Sequence, residues 1–388
     1  MGPGDLRFAT GYFFLFSIYG LTSPFLQVLL RGLGYRDFEV GLYQGLFEAV
    51  GIGGPLLLAR LADRRGAYRP FLLLASLTAA LASLPLALLR SPLATIPAIG
   101  LMALGVRGLV PVMDASVVAH TSRVQAKKSQ PRRGFGALRA AGTVGFIVML
   151  SFTQVAKLDR ASPLTIALWI AGASLVFALM LAILPESGHG KVVGEAAAAR
   201  PRAPIDPLLI LGLLIIGLGR LAMAPVNSFL TLYASERLHS DAASLLWALA
   251  ALVEVPGLVL AGRLIRRIGA MSVIAIVSLA IALRLSIYAL FPTIAGAFVG
   301  QLLHFFCYGL FLPAAIAFVS SRVPVERRAW GMALFMGFAM GLPSFLGSTL
   351  GGMVLEASGY SALFGYFTIP ALLSLAIYLF TARRFRLR

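Results

Sequence analysis

Charge is what this sequence is shortest of. Only 12% of its 388 residues are Asp, Glu, Lys or Arg, while 59% are hydrophobic; a soluble domain carries about 25% charged residues. That composition excludes a water-soluble globular chain and points to a polytopic membrane protein. Acids are the scarcer sign, 15 against 33 basic residues. Cysteine is nearly absent: the single Cys307 lies in an apolar stretch, so no intrachain disulfide can form. Signatures of catalysis and cofactor binding are missing as well. No H-E-x-x-H, G-x-S-x-G, P-loop or ligand-spaced Cys/His cluster occurs, so neither an enzyme nor a metal or other cofactor is expected. No cleavable signal peptide is read at the N-terminus, because residues 8–30 are too long for a signal h-region and no small-residue cleavage site follows.

What the chain has in abundance is long apolar runs. A span needs ~20 mostly apolar residues, and twelve stretches qualify: about 8–30, 38–59, 70–89, 93–118, 137–156, 164–184, 208–233, 243–262, 271–290, 294–319, 331–355 and 361–382. The longest polar interval, 185–207, is rich in Gly, Ala and Pro and falls near the middle. It reads as a cytoplasmic linker between an N-terminal six-helix bundle, 1–184, and a C-terminal one, 208–388. The expected fold is an all-α membrane protein of twelve transmembrane helices in two pseudo-symmetric bundles.

The basic residues are distributed unevenly over the short loops. Counted on alternate sides, 23 fall on one side and 6 on the other, with Arg107, Arg139, Arg220 and Arg284 inside spans. The richer side, which holds both termini and the linker, is cytoplasmic by the positive-inside rule. This placement also accounts for the formal net charge of +18 without nucleic acid as a partner. Lysine supplies only 4 of the 33 basic residues, which suggests a GC-rich bacterial source and an inner-membrane location.

One repeat is visible. Residues 59–67 read ARLADRRGA and residues 262–270 read GRLIRRIGA. Both follow the second span of their half, and two related six-span halves suit a rocking transporter.

At these residues the chain resembles the major facilitator superfamily. That family's loop between helices 2 and 3 has the form G-x-L-x-D-R-x-G-x-x-R. Here Ala59 replaces the first Gly and Leu61, Asp63, Arg64, Gly66 and Arg69 follow in register. The second copy keeps Gly262, Arg263, Leu264, Arg267 and Gly269, with Arg266 where the acid would stand. Within the superfamily, the stretch Tyr19 to Phe25 (YGLTSPF) and the stretch Pro111 to Ala115 (PVMDA) resemble the phenylpropionate permease branch of the lactose-permease-like proton symporters. Phe135, Gly136, Arg139, Gly142, Gly145 and Phe146 are similar to the sugar-contacting fifth helix of the lactose permease type. Glu254, Arg284 and His304 fall where that type places its proton-coupling residues. Its further carboxylate, one turn after the histidine, has no counterpart in the following FFCYGLF, so Glu254 or Asp114 must carry the proton. The resemblance implies a monomeric alternating-access transporter whose partners are protons, a small-molecule substrate and the lipid bilayer. It also implies a gating loop at Asp63, Arg64, Gly66, Gly262, Arg263 and Arg267.

The charges within spans carry the functional argument. Glu48, Asp114 and Glu254 face Arg107, Arg139, Arg220 and Arg284. A charge at mid-bilayer costs roughly 2.5–3.5 kcal/mol even on lenient scales, so together these seven are on the order of 20 kcal/mol of nominal insertion cost. Arg107 and Asp114 are seven residues apart and share a helix face. With Arg139 on the next span they are expected to line one polar cleft. A Glu254–Arg284 pair that separates during transport is expected to let the acid bind a proton. Four Arg against three acids favours an anionic substrate, gripped through the guanidinium fork. Candidate substrate contacts are Asp114, Arg139, Arg107, Tyr19, Phe25, Asn227 and Trp247, with Tyr12 and Phe229 as further aromatic walls. Glycines 337, 341, 347 and 351 suit close helix packing. The expected activity is proton symport of a small organic acid, aromatic acids included. Proton symport of sugars or nucleosides, and proton-driven export of drugs or metabolites, are the alternatives.

Overall fold

The structure is a computed structural model and describes residues 3–128, 135–184, 206–324 and 327–386. Among these residues there is no strand. Thirteen α-helices follow one another: α1 (Pro3–Gly32), α2 (Asp37–Arg65), α3 (Arg69–Leu88), α4 (Pro92–Lys128), α5 (Phe135–Val155), α6 (Pro163–Met180), α7 (Pro207–Leu232), α8 (Ala243–Ile268), α9 (Ala270–Leu290), α10 (Ile294–Leu302), α11 (Phe311–Arg322), α12 (Arg328–Leu334) and α13 (Leu342–Arg386). Helix is what an apolar run must form in lipid, because every backbone N–H and C=O is then satisfied within the segment. Eleven described helical stretches are long and apolar enough to cross a membrane. The tenth span runs from α10 to α11 through a π-helical turn, Phe305–Leu310. The eleventh begins in α12, passes a second π-helical turn, Phe335–Gly341, and continues into α13. That helix is itself two spans meeting at Gly359, whose φ of 77° breaks the helical path, so the twelve expected spans are all present.

Local chemistry sets the helix ends. Ser162 and Thr293 cap α6 and α10, accepting from Thr165 N and Gly296 N. Asp206 caps α7 by accepting from Leu208 N at 2.9 Å, and Pro207 opens that helix. The last two residues expected in the linker therefore start a helix; the rest of it lies outside the described residues. The repeat has a physical cause. Gly66 (φ 61°) and Gly269 (φ 85°) occupy the same position of the two copies. Each ends a helix in the left-handed region that glycine adopts without a Cβ penalty.

The contacts divide the chain into two units. The first comprises Met1–Tyr35 and Leu46–Val193; the second comprises Arg36–Gly45 and Gly194–Arg388. In the first, α1 packs on α5 and α6, and α3 on α4 and α6. Its helix pairs are sealed by small residues: Ser76 and Ser83 of α3 donate to carbonyls of Ser174 and Ala167 in α6. In the second, α13 packs on α7 and α9. Ser278 and Ser272 of α9 bond to Ser374 and Tyr378 of α13 at 2.9 and 2.8 Å. Each unit thus joins its third span to its sixth through serines, the polar glue of helices in lipid. A Cβ at Gly347 would lie 2.5 Å from the Leu221 carbonyl oxygen, whereas one at Gly337 meets nothing within 4 Å. Of the glycines expected to pack closely, Gly347 is at a contact and Gly337 is not.

The grouping of Arg36–Gly45 departs from the sequence-continuous halves expected. This segment lies against α13: Gly41 and Gly45 pack on the carbonyls of Ser348 and Phe345, and Glu356 pairs with Arg36 at 3.1 Å and accepts from Phe38 N at 3.0 Å.

Candidate functional site

In the first unit the intramembrane charges form two ion pairs, with Tyr19 near both. Asp114 of α4 pairs with Arg139 of α5 and accepts from the Tyr12 hydroxyl of α1 at 2.6 Å. Arg107, two turns earlier on α4, pairs with Glu48 of α2. Seven residues of helix are ~10 Å of rise, and Tyr19 stands within electrostatic reach of all four charges. The two arginines differ in what they leave open. Arg107 is covered on its faces by the rings of Phe47 and Tyr19, 5.1 and 5.8 Å from the guanidinium carbon. Tyr19 is itself anchored, donating to Val106 O at 3.1 Å and stacking on Phe16. The Arg139 side chain is 40% exposed, against 28% for Arg107. Arg139 thus keeps guanidinium N–H groups available beyond its bond to Asp114. Phe25 is fully buried. It is packing in this structure and offers no surface to a solute; Tyr12 and Phe229 are likewise buried to 0%, though Tyr12 acts through its hydroxyl.

The second unit holds a longer polar chain. Arg284 of α9 is 1% exposed. Its Nε donates to the Tyr288 hydroxyl at 3.1 Å, its Nη1 reaches His304 Nδ1 at 3.0 Å, and its Nη2 donates to Gln301. All three acceptors are neutral. Glu254 of α8 lies 3.5 Å from the other ring nitrogen, Nε2, of His304. The direct Glu254–Arg284 pair expected from the sequence is therefore replaced by an imidazole between them. A guanidinium has no acceptor, so Nδ1 of His304 must accept and the ring proton stands on Nε2, aimed at Glu254. By the same reasoning Gln301 turns its oxygen to Arg284, and its Nε2 is left buried with no partner among the described residues.

One turn past His304, the Tyr308 ring stacks on the imidazole, with centroids 4.4 Å apart and planes within 7°. The Tyr308 hydroxyl accepts from Arg220 Nη1 at 2.9 Å and donates to Asn227 Oδ1 at 2.7 Å. Arg220 also donates to Ser344 at 2.7 Å. Trp247 donates from Nε1 to Thr231 at 3.0 Å and is a neighbour of this chain of contacts through α7 rather than a member of it.

The loop residues are placed only in part. Arg64, Gly262, Arg263 and Arg267 are exposed at the ends of α2 and α8, and Gly66 and Gly269 are the helix-ending glycines. The side chain of Asp63 lies outside the described residues. Sequence reasoning passed over Gln301, Tyr288, Tyr308 and Ser344. Gln301 and Tyr308 carried a faint signal, one turn before and one turn after His304. Nothing in the sequence singles out Ser344 or Tyr288.

A model described as the MFS_1 like family matches residues 6–366. The maltose permease of Geobacillus stearothermophilus is 24% identical over 390 residues, covering 97% of this chain and 94% of that protein. Among solved structures, a mutant of the nucleoside transporter NupG superposes with a TM-score of 0.83 at 16% identity, over 97% of this chain and 98% of that one. A bacterial homolog of the human lysosomal transporter Spinster, in an inward-facing and unoccupied conformation, gives 0.72 at 16% identity, over 99% and 98%. Likeness at such identity establishes the fold.

Proposed function

Because the chain belongs to the MFS_1 like family and is a multi-pass secondary transporter of the major facilitator type, not an enzyme, we propose that it imports a small organic acid together with protons. The observation that carries this reading is the cluster of Glu254, His304 and Arg284. Glu254, one-third exposed, is held at 3.5 Å by one neutral imidazole. It is open to water and has a donor that follows it. His304 keeps its Nδ1 on Arg284 at 3.0 Å. A protonated Glu254 no longer holds the Nε2–H of His304 as an ion would, and movement of the carboxylate off His304 is the step that couples proton uptake to alternating access.

Arg139 supports the choice of an acid. Its exposed guanidinium edge matches a carboxylate through the fork geometry, while Arg107, paired and covered by rings, is structural. On this reading Asp114 and Tyr12 hold Arg139 in position, and Asn227 and Trp247 are contacts from the second half. Asp63 with Arg64, and the loop after α8, close the cytoplasmic side. The chain works as a monomer in a bacterial inner membrane with both termini and the linker cytoplasmic, as two halves, 1–184 and 208–388. The phenylpropionate permease branch remains our choice of relative, on the motifs of α1, α4 and α5.

A second reading, a neutral solute moved with protons, is favoured by the names of the nucleoside transporter and the maltose permease that this chain resembles. The experiment that separates them uses the full chain in liposomes holding a pH dye. Aromatic acids, short organic acids, sugars and nucleosides are added with no gradient imposed. Protons entering with a carboxylate, and lost in Glu254→Gln, are the expected result. Entry with sugars or nucleosides only makes the second reading correct. Protons leaving as solute enters makes the protein an antiporter suited to export.

A further inference from the structure

Tyr308 touches both the Glu254–His304–Arg284 cluster and the polar pair on α7, Arg220 and Asn227. It sits in the π-helical turn Phe305–Leu310, a local widening of the helix that occurs frequently at functional sites. On one side its ring lies flat on His304, centroid to centroid 4.4 Å. On the other its hydroxyl joins two residues of α7, at 2.9 Å to Arg220 Nη1 and 2.7 Å to Asn227 Oδ1.

The direction of these bonds is fixed by chemistry. A phenol has one proton, and a guanidinium only donates. With Arg220 donating to the Tyr308 oxygen, the phenol proton has one place to go, which is Asn227. Asn227 must then present its carbonyl oxygen to Tyr308 and turn its NH2 group the other way. The orientation of the Asn227 amide is therefore set by Tyr308, and the position of Tyr308 is set by the imidazole it stacks on. His304 in turn is positioned by Glu254 and Arg284.

We propose that the Tyr308 hydroxyl is the coupling contact that passes the protonation state of Glu254 to the solute-facing groups of α7. The proposal rests on the symport reading above, and adds a residue that neither the sequence motifs nor the resemblance assigns. When Glu254 takes up a proton, its hold on the Nε2–H of His304 weakens and the imidazole is free to shift. The stacked phenol shifts with it and carries the Arg220 and Asn227 hydrogen bonds along. Solute affinity then depends on pH through a chain of contacts: carboxylate to imidazole, imidazole to ring, hydroxyl to amide. Tyr308 is a positioning residue in this scheme. No step requires it to hold the solute or to exchange its own proton.

The test is the pH dependence of KM rather than the absolute rate. Full-length protein in proteoliposomes is offered labelled phenylpropionate, uridine and maltose in turn, and KM is measured across about two pH units around neutrality. The unaltered protein is expected to show a KM for the carried solute that falls on acidification by about tenfold, ~1.4 kcal/mol of coupling. In Tyr308→Phe, which keeps the ring and the stack, that ratio is expected to fall to about one, whatever the residual rate. A purely packing role would lower transport at every pH and leave the ratio standing. Should Tyr308→Phe not yield folded protein, Asn227→Ser removes the acceptor from the reach of the phenol and is expected to flatten the ratio in the same way. An unaltered ratio in either variant overturns the role of Tyr308 and leaves symport intact. No pH dependence and no dye response with any of the three solutes in the unaltered protein overturns symport, and this assignment with it.

Discussion

Arg284 and His304 meet at 3.0 Å between Nη1 and Nδ1, and the guanidinium can only give a proton to that contact. The consequence is a histidine of fixed tautomer, with Nε2–H directed at Glu254. We expect nitrogen NMR of the labelled protein to show His304 unprotonated at Nδ1, its signal identified by loss in His304→Gln. In Arg284→Leu the contact is gone, and the single-tautomer signal is expected to be lost. A native His304 already protonated on Nδ1 at neutral pH would contradict the assignment.

Arg284→Leu also strips the Tyr288 hydroxyl and the Gln301 amide oxygen of their donor in a site only 1% exposed at the arginine. A buried polar group left without its partner costs roughly 1–3 kcal/mol. Thermal unfolding in detergent is expected to show a clear fall in Tm. A Tm within experimental error of the native value would mean that the cluster relaxes or fills with water.

Arg107 and Arg139 are expected to part company in kinetics. Arg139→Gln removes a charged donor with an open edge, and KM for the solute should rise by about tenfold or more, the effect of losing a charge-assisted bond of ~1.5 kcal/mol. Arg107→Gln breaks the pair with Glu48 and should chiefly lower stability, with KM little altered. The reverse pattern in uptake assays would place the solute beside Arg107.

Two glycines of the first unit make a matched pair. A Cβ at Gly145 would overlap the Phe13 carbonyl group, while one at Gly172 meets nothing within 4 Å. Gly145→Ala is expected to destabilise by about 1–3 kcal/mol, as overpacking does. Gly172→Ala is expected to be neutral or to stabilise by up to ~1 kcal/mol from helix propensity. Equal effects would show that α5 does not pack on α1 as described.

Orientation is open to direct labelling, because Cys307 is the only cysteine and is buried. In a Cys307→Ala background, Arg266→Cys at the end of α8 should react only from the cytoplasmic side. Arg160→Cys, between α5 and α6, should react only from outside. Opposite accessibility would invert the topology.

The sequence alone determined the helices, because an apolar run in lipid has one way to satisfy its backbone. It also determined where the chain turns between spans, since Gly66 and Gly269 end α2 and α8 with positive φ at the same place in a repeat. It identified Asp114, Arg139, Glu254, Arg284 and His304 as worth explaining, because groups that costly to insert do not sit idle. What it left to the tertiary structure was the choice of partner. Hydropathy records how deep a residue lies but not how its helix is rotated, and rotation is fixed by packing against neighbours. Hence Arg107 turned to Glu48 rather than to Asp114, an imidazole came between Glu254 and Arg284, and Tyr308, an ordinary aromatic in an apolar span, became the contact joining His304 to Asn227.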